Sequence, residues 1–134
     1  MLQENVEIVR SIVAAWERGD FSSAEWAHRE IEYVIADGPL PGSWVGRAGM
    51  VEGWRGFLDA WQDFRAGAEE FRELEGGRVL ALVQFSGRGK ASGLDVGQMK
   101  SMGANLFHLR DGEVTRLVTY MDRERALEAV GLRE

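Results

Sequence analysis

The chain has 134 residues, 45% apolar, 28% charged and 10% aromatic, an ordinary composition for one soluble globular domain that can bury a core without staples. With no cysteine and two histidines, a disulfide framework, thiolate catalysis and Cys-ligated metals are excluded, and neither metal nor cofactor is expected. The net charge of −6 has the wrong sign for a nonspecific nucleic-acid binder. No apolar run approaches the ~20 residues of a membrane span, and Met1–Asn5 lack the basic and apolar regions of a signal peptide, so a cytoplasmic protein is expected.

In chain order, Asn5–Arg18 places Val6, Val9, Val13 and Trp16 at helical spacing, with Ile8 and Ile12 widening the stripe, and predicts an amphipathic helix. Gly19-Asp20 ends it, and Ser22-Ser23 suits the N-cap of a short second helix through Trp26 and His28, with His28 at the helix end near free carbonyls. Ile31–Ala36 reads as a strand, and Asp37-Gly38-Pro39-Leu40-Pro41-Gly42 as a loop. A third helix follows Gly46, with Met50, Val51, Trp54, Phe57, Leu58, Trp61 and Phe64 on one stripe. Beyond Arg65 the period changes, and strands are expected at about 66–74, 78–91, 98–110 and 114–121, the last two joined by an Asp111-Gly112 hairpin turn. A final helix over 123–130 has Asp122 as its cap and Gly131 at its end.

Helices followed by short-turned strands give an α+β architecture: a cone-shaped roll in which a curved mixed or antiparallel sheet wraps the N-terminal helices and encloses an apolar pocket. Five Trp, six Phe and two Tyr in so short a chain fit such a bowl, since large flat side chains rarely close it completely.

Ile12-Val13-Ala14-Ala15-Trp16-Glu17-Arg18-Gly19-Asp20, the helix start from Gly46 to Trp54, Asp111-Gly112-Glu113-Val114 and the ending Ala126-Leu127-Glu128-Ala129-Val130-Gly131-Leu132 come in the order and spacing of SnoaL-like proteins. The chain thus resembles, over 1–134 as one domain, the nuclear-transport-factor-2-like superfamily, which includes polyketide cyclases, ketosteroid isomerases and limonene epoxide hydrolases. This fold hosts enzymes, ligand binders and scaffolds, so function has to come from the site.

Asp37 follows the strand Tyr33-Val34-Ile35-Ala36, where its carboxylate either reaches the pocket or bonds the backbone as a turn residue. The resemblance implies the position of the isomerases' catalytic base, an Asp that takes a proton from a carbon beside a carbonyl; that isomerase Asp is a worked example of the general rule. It also aligns Asn105 with the protonated aspartate of their oxyanion hole, and an amide donates N–H without any pKa adjustment. Their helix-1 tyrosine aligns with Ile12, which has no donor. The epoxide-hydrolase pattern is missing, because Ile35 stands where an Asn is needed and no strand carries Arg-x-Asp.

Strand alternation turns Met99, Ser101, Gly103, Phe107 and Leu109 inward with Asn105, and Met102, Leu106 and His108 outward; on the last strand the resemblance implies that Leu117, Thr119 and Met121 face in. Trp16, Tyr33, Trp54 and Trp61 are expected to line the pocket beside Met99, Phe107, Leu117 and Met121, with Trp44 as a lid on the loop. Gly87-Arg88-Gly89-Lys90-Ala91-Ser92-Gly93 lacks the spacing of a phosphate-cradling loop and reads as a bent strand end. The expected partners are an apolar small molecule in the pocket and a second copy of the chain on the outer sheet face, where Met102, Leu106, Val118 and Tyr120 form an apolar patch too large to leave wet. Two functions follow: a cofactor-independent isomerase or cyclase with Asp37 as base and Asn105 holding the oxygen, or a noncatalytic apolar-ligand binder or dimeric scaffold.

Overall fold

The stripe of the first segment winds Leu2–Glu17 into helix α1, which buries Val9, Ile12, Val13 and Trp16; the coordinates are a computed structural model describing residues 2–18, 20, 25–37, 41–59, 61–89 and 98–131, the side chains of 2–3, 61–64, 87–89 and 98–101 excepted. There follow β1 (Ala27–Ile35), β2 (Gly42–Val45), α2 (Gly46–Asp59), β3 (Trp61–Leu74), β4 (Arg78–Gly89), β5 (Gln98–Arg110), β6 (Glu113–Tyr120) and α3 (Arg123–Ala129). The strands form one sheet in the order β2-β1-β6-β5-β4-β3. All neighbours are antiparallel except β1 and β6, which run parallel, so the sheet is mixed.

The turns are set by local chemistry. Asp111 and Gly112 adopt φ of 53° and 80°, the left-handed pair that a two-residue hairpin turn requires, and Asp and Gly tolerate it best. Asp122 caps α3 by accepting from the Glu124 N–H at 3.0 Å, as its place before the helix predicts.

Three expectations are corrected. No helix runs through Trp26 and His28: Trp26 lies in a turn and β1 starts at Ala27, with residues 21–24 outside the described ones. Ala27 pairs with Val114, whose N–H donates to the Trp26 carbonyl at 2.9 Å, so β6 supplies a ladder that overrides local helix signals. His28 therefore belongs to a strand, and its Nδ1 accepts from the Glu30 N–H. The third helix stops at Asp59, and Trp61 and Phe64 belong to β3, which pairs with β4 from Trp61↔Gly89 onward. The residues after Pro41 add an edge strand, β2, to what reads as loop. β4 ends at Gly89, and the rest of the glycine-rich run, 90–93, lies outside the described residues.

Both faces of the sheet are covered. The inner cluster joins α1 and α2 to Tyr33, Val79, Val83, Phe85, Phe107, Leu109 and Leu117. An outer cluster joins Leu80, Leu82, Ala104, Leu106 and Val118 to Ala126 and Leu127 of α3. The outer patch expected to be covered by a second copy is thus mostly closed within the chain: Leu106 and Val118 are 4% and 3% exposed, and only Met102 of the four is exposed, at 46%.

Arg78, His108, Arg116 and Glu32 are successive cross-strand partners over β4, β5, β6 and β1. Arg116 Nε lies 3.0 Å from Glu32 Oε1 without the alignment of a hydrogen bond. Burial pulls the His108 pKa down, Arg116 and Arg78 add to this, and Glu32 opposes it. The folded chain therefore binds fewer protons than the unfolded one as pH falls below ~6.5, the ordinary histidine value, and stability declines over that window. Denaturation midpoints between pH 5 and 8 are expected to show this slope, flattened in His108→Gln; an unchanged slope would refute the assignment.

Candidate functional site

A cavity of about 40 Å³ lies between the helices and the sheet, lined by Trp16 of α1, Trp54, Phe57 and Leu58 of α2, and Tyr33, Ala66, Phe85, Asn105 and Thr119 from five strands. Its walls are apolar except for the last two residues and the Tyr33 hydroxyl. The volume is little more than one water's ~30 Å³ share of liquid, so the bowl is nearly filled. The tryptophans themselves fill it: Trp54 meets Trp16 at 5.6 Å between ring centres and 86°, and Tyr33 at 6.0 Å and 79°, the edge-to-face arrangement that aromatic quadrupoles favour. Trp16 also stacks on Phe107 at 5.9 Å, and Trp26 closes against both Trp16 and Trp54.

The polar end follows from strand register. Asn105 and Thr119 are direct partners on β5 and β6, and the Thr119 hydroxyl donates to Asn105 Oδ1 at 2.8 Å. Both are buried, at 2% and 8% exposure. The Asn105 amide nitrogen has no hydrogen-bond partner among the described residues. Tyr33 lies diagonally across from Thr119, since Ile35 is the latter's partner on β1, and its ring meets Trp54 edge to face. Burial pushes the Tyr33 pKa well above its ordinary value, so the phenol keeps its proton.

Asp37 is not among the residues lining this cavity. It stands beyond the end of β1, half-buried, and extends the β1–β6 ladder: Oδ1 accepts from the Met121 N–H at 2.5 Å, just past the bond from Ala36 N–H to the Thr119 carbonyl. Its Oδ2 is buried and has no partner among the described residues. The backbone bond runs to β6, not within its own turn. Burial pushes the Tyr120 hydroxyl up, Arg116 opposes this and the Asp37 carboxylate adds to it.

Of the other expected lining residues, Trp16, Tyr33 and Trp54 reach the cavity, while Phe107, Leu117 and Met121 are core side chains beside it. Trp44 is no loop lid. It sits on β2, stacks on Tyr33 at 5.7 Å and lies flat on Gly53 of α2, where a Cβ would come within 2.7 Å of the indole. The side chains of Trp61 and Met99 lie outside the described residues. Phe57, Leu58, Ala66, Phe85 and Thr119 complete the lining; Phe57 and Leu58 were on the α2 stripe and Thr119 had inward parity, whereas Phe85 and Ala66 depend on strand pairing. Among the described residues no cluster of His, Asp and Glu could hold a metal ion, and no helix is long and apolar enough to cross a membrane.

No curated protein matches the sequence. Among solved structures the chain is similar to TerC co-crystallized with polyporic acid (22% identity over 95% of this chain and 97% of that one, TM-score 0.73). It is also similar to an NTF2-like protein of unknown function from Burkholderia pseudomallei (16%, 95% and 97%, TM-score 0.76) and to a putative polyketide cyclase from Xanthomonas campestris pv. campestris (22%, 97% and 96%, TM-score 0.71). Identities this low carry the fold alone, an α+β cone of the NTF2-like kind. The SnoaL-like domain family, however, matches residues 9–117, most of the chain, and to that family the protein belongs.

Proposed function

We propose that the protein binds a small, largely apolar organic molecule in this cavity and seats an oxygen of the guest on the Asn105 amide. The observation that carries the reading is the Asn105 amide, a buried side chain on the cavity wall whose oxygen is taken by Thr119 and whose nitrogen has no hydrogen-bond partner among the described residues, so that an oxygen of the guest can meet it. TerC, co-crystallized with polyporic acid, and the putative polyketide cyclase are in keeping with an organic guest. A guest larger than a few heavy atoms requires Trp54 or Phe57 to turn aside, because the space is about 40 Å³.

A second reading, catalysis at the same site, is favoured by the buried, unpartnered Oδ2 of Asp37, two strand positions or roughly 7 Å along β1 from Ile35, the partner of Thr119. In it Oδ2 takes a proton from the carbon beside the guest's carbonyl, the electron pair moves onto the oxygen held by Asn105, and the proton returns to a different carbon or the same one. A homodimer through the outer face belongs to the same proposal, resting on Met102, Val34, Ala36 and Tyr120, which α3 leaves partly uncovered.

Cyclobutanone serves as the probe. Wild-type protein is expected to bind it, detected by tryptophan fluorescence, and Asn105→Leu to weaken binding about ten-fold, one hydrogen bond's worth. Absence of binding to the wild type would overturn the proposal. Exchange of the ketone's α-hydrogens for deuterium, abolished in Asp37→Asn with affinity kept, supports the catalytic reading; no exchange above buffer leaves a binder. Asparagine keeps an acceptor for Met121, so the ladder survives the test.

A further inference from the structure

Most of the residues that line the cavity carry aromatic rings: Trp16, Tyr33, Trp54, Phe57 and Phe85. Leucine and valine would wall a site for a ketone or a hydrocarbon just as well, so the rings supply something that aliphatic groups lack. Each ring face is negative, because the π quadrupole places its electrons above and below the plane. Trp54 stands at 86° to Trp16 and at 79° to Tyr33, the crossed planes of a box, and a box of rings holds a positively charged, methylated nitrogen by attraction to those faces. None of the lining residues is a lysine, arginine or histidine that would oppose such a charge, and the chain as a whole carries −6.

A bare ammonium ion fits the walls but not the polar end, where its charge would meet the Asn105 N–H, and burying a charge without a counter-charge is costly. An amine oxide carries its counter-charge with it: the nitrogen is positive and the oxygen bonded to it is a strong acceptor. We infer that the cavity is an aromatic cage for a small amine oxide, with the methylated nitrogen among the rings of Trp16, Tyr33 and Trp54 and the oxygen on the Asn105 amide nitrogen. The inference rests on the reading of the cavity as a guest site seated on Asn105, and it narrows the guest from any oxygen-bearing apolar molecule to one whose central atom is positive. Trimethylamine N-oxide is the most compact methylated member of the class and asks the least movement of Trp54 or Phe57 from a space of about 40 Å³.

The test pairs trimethylamine N-oxide with tert-butanol, which has the same shape, the same number of heavy atoms and an oxygen that also accepts, but no charge on its central atom. Titrations followed on the methyl proton signal are expected to give the amine oxide about ten-fold tighter binding, the worth of a desolvated cation–π contact, with an upfield displacement of the signal that marks methyl groups over ring faces. Biosynthetic replacement of the tryptophans by fluorotryptophan keeps their shape and drains the ring faces of electron density, so it is expected to weaken the amine oxide and leave tert-butanol unchanged. Phe57→Leu, which removes one ring, is expected to narrow the preference in the same direction. Equal affinities of the wild type for the two compounds overturn the cage, as does a preference that both fluorotryptophan and Phe57→Leu leave unchanged. Binding of cyclobutanone without binding of the amine oxide also overturns the cage while the guest site stands; if none of the three compounds binds, the guest site fails and the cage with it.

Discussion

Gly103→Ala is expected to be the most destabilising single-methyl addition in this fold, lowering stability by about 3 kcal/mol or more, at or beyond the upper end of ordinary overpacking. Gly103 sits on β5 opposite Val83, where the Phe85 ring crosses the strand, and a Cβ built there collides with the edge of that ring and with the carbonyl oxygen of Tyr120. The ring can be displaced at the cost of a core rotamer, but the carbonyl belongs to β6 and moves only if the β5–β6 ladder opens. Opening it there would also disturb Asn105 and Thr119, which pair one turn of the pleat away. The control is Gly56→Ala on α2, whose Cβ meets nothing within 4 Å and which should gain stability, since alanine outranks glycine in a helix by about 1 kcal/mol. Urea unfolding of the two variants checks this; similar midpoints would show that the sheet yields where it is drawn as rigid.

What the sequence made legible follows the range of the forces involved. The α1 stripe, the Asp111-Gly112 turn and the Asp122 cap are local signals and all stand in the structure. Trp61 and Phe64 continue the 3.6-residue spacing of Trp54, Phe57 and Leu58, and that spacing misleads because β4 offers the segment a full-length antiparallel partner. β2 is too short, at four residues, to announce itself. The site shows the same division. Trp16 and Trp54 lie on periodic stripes, whereas the Asn105–Thr119 pair depends on register. Counting outward from Arg110↔Glu113 along a regular hairpin would set Asn105 against Val118. An irregularity between His108 and Leu109 shifts the ladder by one residue and brings Thr119 opposite instead. Bulges of this kind re-aim side chains beside functional sites, and no residue in Leu106–Leu109 marks one in advance. The cavity's size was likewise beyond sequence reasoning, since the same tryptophans could leave a hollow or close it, depending on their ring angles.

Trp54→Ala tests whether those rings hold the bowl closed. Trp54 is 7% exposed and touches Trp16, Trp26 and Tyr33 with ring centres 5.6, 5.7 and 6.0 Å away, so its removal deletes one member from three aromatic pairs at once. Truncations of this kind cost about 3–5 kcal/mol, and the upper part of the range is expected here, because the strands behind the site cannot collapse into the gap without losing their ladders. The vacated volume adds to the existing hollow and brings it toward the ~150 Å³ at which an apolar protein cavity accepts benzene. Added indole should therefore refill the site and raise the variant's melting temperature in a concentration-dependent way, as mass action requires of a ligand that binds only the folded state, while leaving the wild type unmoved. Trp54→Phe, which keeps a ring against Trp16, Trp26 and Tyr33, should cost less stability. A Trp54→Ala variant within 1 kcal/mol of wild type, or one that indole does not stabilise, would mean that the aromatic cluster neither carries the fold nor defines the cavity.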